Sequence, residues 1–194
     1  MNIHVFGLGA IGSNIISQLH KRYPDAWFHG IDFDTVEDRN IKTQAFFLEH
    51  KGKPKSAVIP SILARKDAKA QYSSTNRKMD STKDILSIPR IKESSLILDC
   101  FDNTKSRQMI KDLGDLAPIL HIGFSPHYTA EIIWNEKYLV PGEVDKDIDI
   151  CELNNAVFFI HYIVNFAAMV ACDFLDNGKK RNFFVTSMWK IKEI

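Results

Sequence analysis

The chain has 194 residues, an apolar share of 45%, and 25 basic against 24 acidic side chains, for a net charge of +1. That size and composition fit one full-sized core, read here as a single domain over residues 1–194. The balanced charge offers no electrostatic footprint for a nucleic-acid partner. Cys100, Cys151 and Cys172 form no CxxC pair, so neither a tetrahedral zinc site nor a disulfide framework is indicated, and a reducing, cytoplasmic setting follows.

Taken in chain order, strand and helix signals alternate. Asn2 to Phe6 reads as a strand, and Ala10 to Arg22 as a helix with Ile11, Ile15, Ile16 and Leu19 on one face. Trp27 to Asp32 is a second strand, Pro54 to Arg65 a helix with proline at its start, and Ala68 to Ser73 a short strand. Ser95 to Asp99 is a continuous apolar strand, Lys105 to Leu113 the helix after it, and Pro118 to Gly123 another strand. This repetition predicts an α/β fold of Rossmann-like type, with a mostly parallel sheet and helices on both faces, over a nucleotide-binding core of residues 1–123.

From residue 124 to 194 the pattern changes. Tyr128 to Asn135 and Lys137 to Val140 flank Asn135-Glu136 and read as an antiparallel hairpin. An acidic loop, Pro141 to Asp149, precedes a long apolar helix from Ala156 to Leu175, and a closing strand is expected near Asn182 to Ile191. The long helix carries His161, Asn165 and Asp173. Such groups are costly in hydrocarbon, so a core or subunit-interface helix is expected rather than a membrane span. No signal peptide is expected, because the glycine loop arrives too soon.

Three segments carry chemistry. The first is Gly7-Leu8-Gly9-Ala10-Ile11-Gly12-Ser13, directly after the first strand. Gly7 permits the sharp turn, Gly9 close backbone approach to a phosphate, and Gly12 tight packing of helix on sheet. The amides at the helix start attract an anion. Asp32 ends the second strand, where a carboxylate accepts hydrogen bonds from ribose hydroxyls. This fingerprint does not separate NAD from ATP.

The second segment is Asp32-Phe33-Asp34-Thr35-Val36 with Asn40, Gln44 and Gly52-Lys53-Pro54-Lys55, and the third is Leu98-Asp99-Cys100-Phe101-Asp102-Asn103 with Arg107. Together they resemble the signatures of the ThiF/MoeB/HesA family of ubiquitin-activating-type adenylyltransferases. The resemblance runs in detail from about Asn2 to Gly123. It implies ATP-dependent adenylylation of a carboxylate, most directly the C-terminus of a ubiquitin-like or sulfur-carrier protein, with ATP and Mg²⁺ as cofactors. It also implies a homodimer. By resemblance, Lys55, Asp102, Arg107 and Asn40 form the catalytic set. Gly7, Gly9, Ile11, Gly12, Asp32, Asp34, Gln44, Lys55, Asp102 and Asn103 contact nucleotide, and Asp102 holds magnesium. The chemistry suits the residue types: attack at the α-phosphate builds charge on phosphate oxygens, which a lysine and a metal stabilise. Read without the family, Lys55 is a solvated lysine at a helix start and Asp102-Asn103 a helix N-cap.

The sequence departs from the family in three places. Thr43 stands where the family has an arginine before the glutamine, with Lys42 and Arg39 as nearby cations to replace it. The chain opens on its first strand, so the arginine that the family supplies from an N-terminal helix is expected to be missing. The zinc-binding cysteines of many members are also missing. Cys151 lies among Asp145, Asp147, Asp149 and Glu152, an acidic setting that suppresses thiolate. Direct transfer of an adenylate to another nucleophile is therefore preferred to a Cys151 thioester. Cys100 and Cys172 read as structural. His121 and His127 flank the expected C-terminal edge of the sheet as either a base or polar surface residues; the surface reading is preferred because nothing nearby in sequence pairs with either, and Lys179-Lys180-Arg181 reads as a solvated turn. Two other functions stay open: a catalytically degenerate scaffold that binds nucleotide or a ubiquitin-like partner, and an NAD-dependent oxidoreductase. A modified transfer RNA as substrate is disfavoured by the neutral net charge and left open.

Overall fold

The computed structural model describes residues 1–65, 67, 69–142 and 153–194. Eight strands form one sheet: β1 (Asn2–Phe6), β2 (Trp27–Ile31), β3 (Gln71–Thr75), β4 (Leu96–Asp99), β5 (Ile119–Phe124), β6 (Ala130–Trp134), β7 (Phe183–Val185) and β8 (Ile191–Glu193). Their order is β3-β2-β1-β4-β5-β6-β7-β8. The first five pair in parallel and the last three antiparallel. The helices are α1 (Gly12–Arg22), α2 (Lys55–Ala64), α3 (Thr82–Leu86), α4 (Thr104–Lys111) and α5 (Ala156–Asn177). This is the expected α/β architecture.

Alternation along the strands builds two cores. Ile3 and Val5 of β1, Leu96 and Leu98 of β4, and Leu120 and Ile122 of β5 face α1, α2 and α5. Phe6, Ile97 and Ile119 face the other way, onto Ile85, Met109 and Ile110 of α3 and α4. Period-two side-chain placement in a sheet covered on both sides yields these near-continuous apolar strands. α5 is the one described helix long and apolar enough to cross a membrane. Here Phe159, Ile160, Ile163, Val164 and Ala167 bury it in the first core as a central helix.

The C-terminal third departs from the expected hairpin. Lys137 to Val140 is not a strand. The Lys137 and Tyr138 amides turn back on the Trp134 carbonyl at 3.0 and 3.1 Å, and Tyr138 is buried against His121. Its ring thus fills a space beneath the sheet rather than extending an edge. The antiparallel partners of β6 are β5 and β7. The closing strand is likewise two short strands, β7 and β8, joined by a turn in which Trp189 adopts a positive φ of 58°. The acidic loop falls largely outside the described residues, as does Cys151.

Candidate functional site

The parallel strands reverse their order between β1 and β4. Loops leaving their C-terminal ends part there, and in doubly wound sheets this is the ligand crevice. Three of the sequence segments converge at it.

The glycine loop is shaped by hard contacts. Gly7 has φ +82°, and a Cβ there would lie 2.8 Å from the Cys100 carbonyl oxygen. The turn after β1 therefore touches the turn after β4. A Cβ on Gly12 would come within 1.9 Å of the Gly7 carbonyl oxygen, so the first turn of α1 closes on the loop only through glycine. A Cβ on Gly9 would meet nothing within 4 Å: the loop's outer side is open. No side chain caps α1 and its first turn holds no acidic residue. Its amide dipole is therefore not neutralised and favours an anion. Ile11, the residue before the helix, has its side chain in the core and offers only backbone.

Asp32 and Asp34 frame the loop from β2. Asp32 Oδ2 accepts the Leu8 N–H at 2.6 Å and Oδ1 accepts the Asp34 N–H at 2.8 Å. Burial raises the Asp32 carboxyl above its usual range, against the pull of Lys55 and of these two amides. Lys55 is buried rather than solvated, and its Nζ donates to Asp34 Oδ2 at 3.1 Å. The backbone brings it there, since Lys55 N–H donates to the Asp34 carbonyl at 2.9 Å.

The 40–45 segment is clamped to α1. Asn40 is buried and its Oδ1 accepts the Glu37 N–H at 2.9 Å. The Ser13 hydroxyl donates to the Gly9 carbonyl at 2.7 Å and accepts the Ala45 N–H at 3.1 Å. Asn14 Nδ2 donates to the carbonyls of Ala10 and Thr43 at 2.8 and 2.9 Å. Sequence reasoning missed these two clamps; Ser13 was visible as the end of the fingerprint. Gln44 Oε1 is buried without a hydrogen-bond partner, an acceptor that a bound ligand could satisfy. Thr43 is buried, Lys42 is exposed, and Arg39 is paired with Glu37 at 2.6 Å.

After β4, Asn103 caps α4 by accepting the Ser106 N–H at 2.9 Å. Asp102 is exposed beside it. Among the described residues no group of three or more His, Cys, Asp or Glu side chains could hold a metal. Arg107 lies within the fold. It is buried, donating to the Tyr138 hydroxyl at 2.8 Å and the Ile122 carbonyl at 3.1 Å, with Glu131 at 3.6 Å. Burial alone would lower its pKa, and Asp99, Tyr138 and Glu131 more than offset that.

His121 is not a surface residue. It is fully buried, between Asp99 and Asn135, because the β4–β5 register sets it opposite Asp99. Distance in sequence hid this pairing. His127 is exposed, as expected. Burial pushes the Cys100 and Cys172 thiols up, consistent with structural roles. In the basic turn, Lys180 pairs with Glu136 and Arg181 with Glu193.

Two concavities lie elsewhere. One of about 470 Å³ runs along the outer side of α2 between His50 and Arg65. Another of about 190 Å³ lies between Lys42-Thr43 and the start of α5. Neither includes the glycine loop or Asp102. The crevice over the loop is the better site because it combines open backbone, an uncapped helix start and a buried ammonium.

Fold and loop together define a doubly wound, nucleotide-binding type of domain. The chain belongs to the ThiF family, whose model matches residues 1–122. Among solved structures it is similar to E. coli MccB bound to MccA-N7isoASN, with TM-score 0.79, 16% identity, all of this chain and 64% of that one covered. It is similar also to E. coli MccB with ATP, at 0.78, 18% identity, and coverage of 100% and 63%. A third is PaaA, at 0.68 and 14% identity, covering 100% of this chain and 63% of that one. The chain thus spans less than two thirds of these proteins' length. No curated protein matches it.

Proposed function

We propose that this chain is an ATP-dependent adenylating domain that activates a carboxylate, most directly the C-terminus of a ubiquitin-like or sulfur-carrier protein. The observation that carries the reading is the buried Lys55 ammonium, held by Asp34 beside the Asp32-anchored glycine loop. A dinucleotide site needs ribose and pyrophosphate contacts; a lysine at this place serves a triphosphate whose α-phosphate is attacked. ThiF-family membership supports this over an NAD-dependent reaction. MccB, captured with ATP and with MccA, shares the fold.

In this reading α1 and the glycine loop hold phosphate through backbone amides. Asp32 accepts from ribose once its present amide bonds are shared, and Lys55 neutralises charge on the α-phosphate. A magnesium ion would take the exposed Asp102 carboxylate as its protein ligand, since Asn103 already serves the cap. Bound there, the ion would add positive charge near the leaving pyrophosphate. Arg107 acts as a brace beneath the site. A homodimer, a cytoplasmic setting and no membrane contact belong to this same reading.

A second reading is a nucleotide-binding scaffold without turnover, favoured by Thr43 in the family's arginine position. Pyrophosphate exchange decides between them. Exchange dependent on a carrier-protein C-terminus and absent in Lys55→Ala supports adenylation. ATP binding that Lys55→Ala weakens at least tenfold, with no exchange across carrier proteins, supports the scaffold.

A further inference from the structure

A polar cluster under the Cys100–Asn103 turn joins the buried Asp99 and His121 to the half-buried Asn135. Asp99 and His121 face each other across β4 and β5, both fully buried. His121 Nδ1 lies 2.7 Å from Asp99 Oδ2, and Nε2 lies 2.9 Å from the Asn135 side-chain oxygen. The Asn135 amide is oriented by its nitrogen, which donates to the Lys111 and Gly114 carbonyls, each at 3.4 Å. Turning it over would set its oxygen against two carbonyl oxygens. Both ring nitrogens of His121 therefore face acceptors. A neutral imidazole has one N–H; only the imidazolium donates through both.

The surroundings suit that charge. The Tyr138 ring stacks on the imidazole with centroids 3.7 Å apart and planes within 10°. The charged groups around it are Asp99 on β4, Glu131 on β6, and Arg107 and Lys111 on α4. Arg107 lies 3.6 Å from Glu131 and also interacts with Asp99, and Lys111 lies over the Tyr138 ring at 5.8 Å. A neutral His121 would leave one of its two facing acceptors without a proton to accept.

We infer that His121 is held as an imidazolium and is the positioning residue for the Cys100–Asn103 turn, acting through Asp99. The free oxygen of that carboxylate, Oδ1, accepts the Phe101 N–H at 3.1 Å. A fixed Asp99 thereby fixes the turn that presents Asp102. Its consequence for nucleotide binding rests on the function proposed above; the charge and the positioning do not.

The test is NMR of the histidine ring nitrogens near neutral pH on the wild-type chain, with amide hydrogen exchange compared in His121→Gln. We expect both His121 nitrogens protonated. We expect the Phe101 amide to exchange about tenfold faster in the variant, while Leu96 to Leu98 stay protected. A bare ring nitrogen in the wild type overturns the charge assignment, and unchanged Phe101 exchange overturns the positioning role. Should His121→Gln fail to fold, Asn135→Ala replaces it: loss of the Nε2 proton with faster Phe101 exchange supports the inference, and an unchanged ring and amide overturn it. ATP affinity is measured on the same samples. A wild-type chain that binds no ATP refutes the proposed function, while the ring and amide signals still decide this inference.

Discussion

Asp32 holds the glycine loop by accepting the Leu8 amide at 2.6 Å, from 24 residues along the chain. Its second oxygen holds the Asp34 amide at 2.8 Å, so one carboxylate couples the first and second segments of the site. Asp32→Ala strands both donors. The expected loss is about 1–3 kcal/mol of stability, read by urea denaturation. Asp32→Asn keeps one oxygen for one amide and should lose less. Equal stability of Asp32→Ala and wild type would mean the loop is held by other contacts.

Gly12→Ala should be more damaging than its size suggests. The added carbon would sit 1.9 Å from the Gly7 carbonyl oxygen, against backbone that cannot swing away. We expect about 3 kcal/mol of destabilisation and a weakened anion site, measured by thermal melting and by phosphate or ATP titration. Gly9→Ala, which meets nothing within 4 Å, is its control and should melt like wild type.

Arg107→Ala tests whether that arginine braces or binds. Its guanidinium serves Tyr138, the Ile122 carbonyl and Glu131 inside the fold. Removing it leaves the Tyr138 hydroxyl and the Ile122 carbonyl without their donor and the half-buried Glu131 without its cation, which costs about 3 kcal/mol. Stability and ligand affinity should therefore fall together. A variant of wild-type stability that has lost ATP binding would place Arg107 at the nucleotide instead.

The fold should be acid-sensitive through the histidines of β1 and β2. His29 sits between Ser73 Oγ at 2.6 Å and Thr75 Oγ1 at 2.8 Å. Burial, and then neighbouring His4, push its pKa down from 6.5 to about 4. Burial lowers His4 as well, against the bond to the Pro89 carbonyl. Both are neutral in the folded chain and protonate more readily once unfolded. Their contribution is complete above 6.5 and is lost as pH falls from there through the folded values. For His29 that is about 2 kcal/mol by pH 5. Denaturation midpoints at pH 7 and 5 check this, and His29→Gln should flatten the difference.

The parallel half of the fold was legible because each element is dictated locally. β1 matches its expected bounds, and α1 and β2 end within two residues of theirs, since apolar runs and glycine turns set them. The antiparallel half was less so. Nothing in Lys137 to Val140 shows that Tyr138 is needed to stack on a histidine 17 residues earlier (138 − 121). A tertiary contact there outweighed strand propensity.

The sequence alone determined the glycine turn, the Asp32 strand end, Lys55 at a helix start and Asn103 as a cap, because these depend on neighbouring residues and backbone sterics. The tertiary structure decided which side chains meet. It tied Asp32 to Leu8 and Lys55 to Asp34, set Arg107 against the Ile122 carbonyl, and enclosed His121 with Asp99. Those pairings arise from strand order and register, which bring together residues whose separation along the chain carries no local signal.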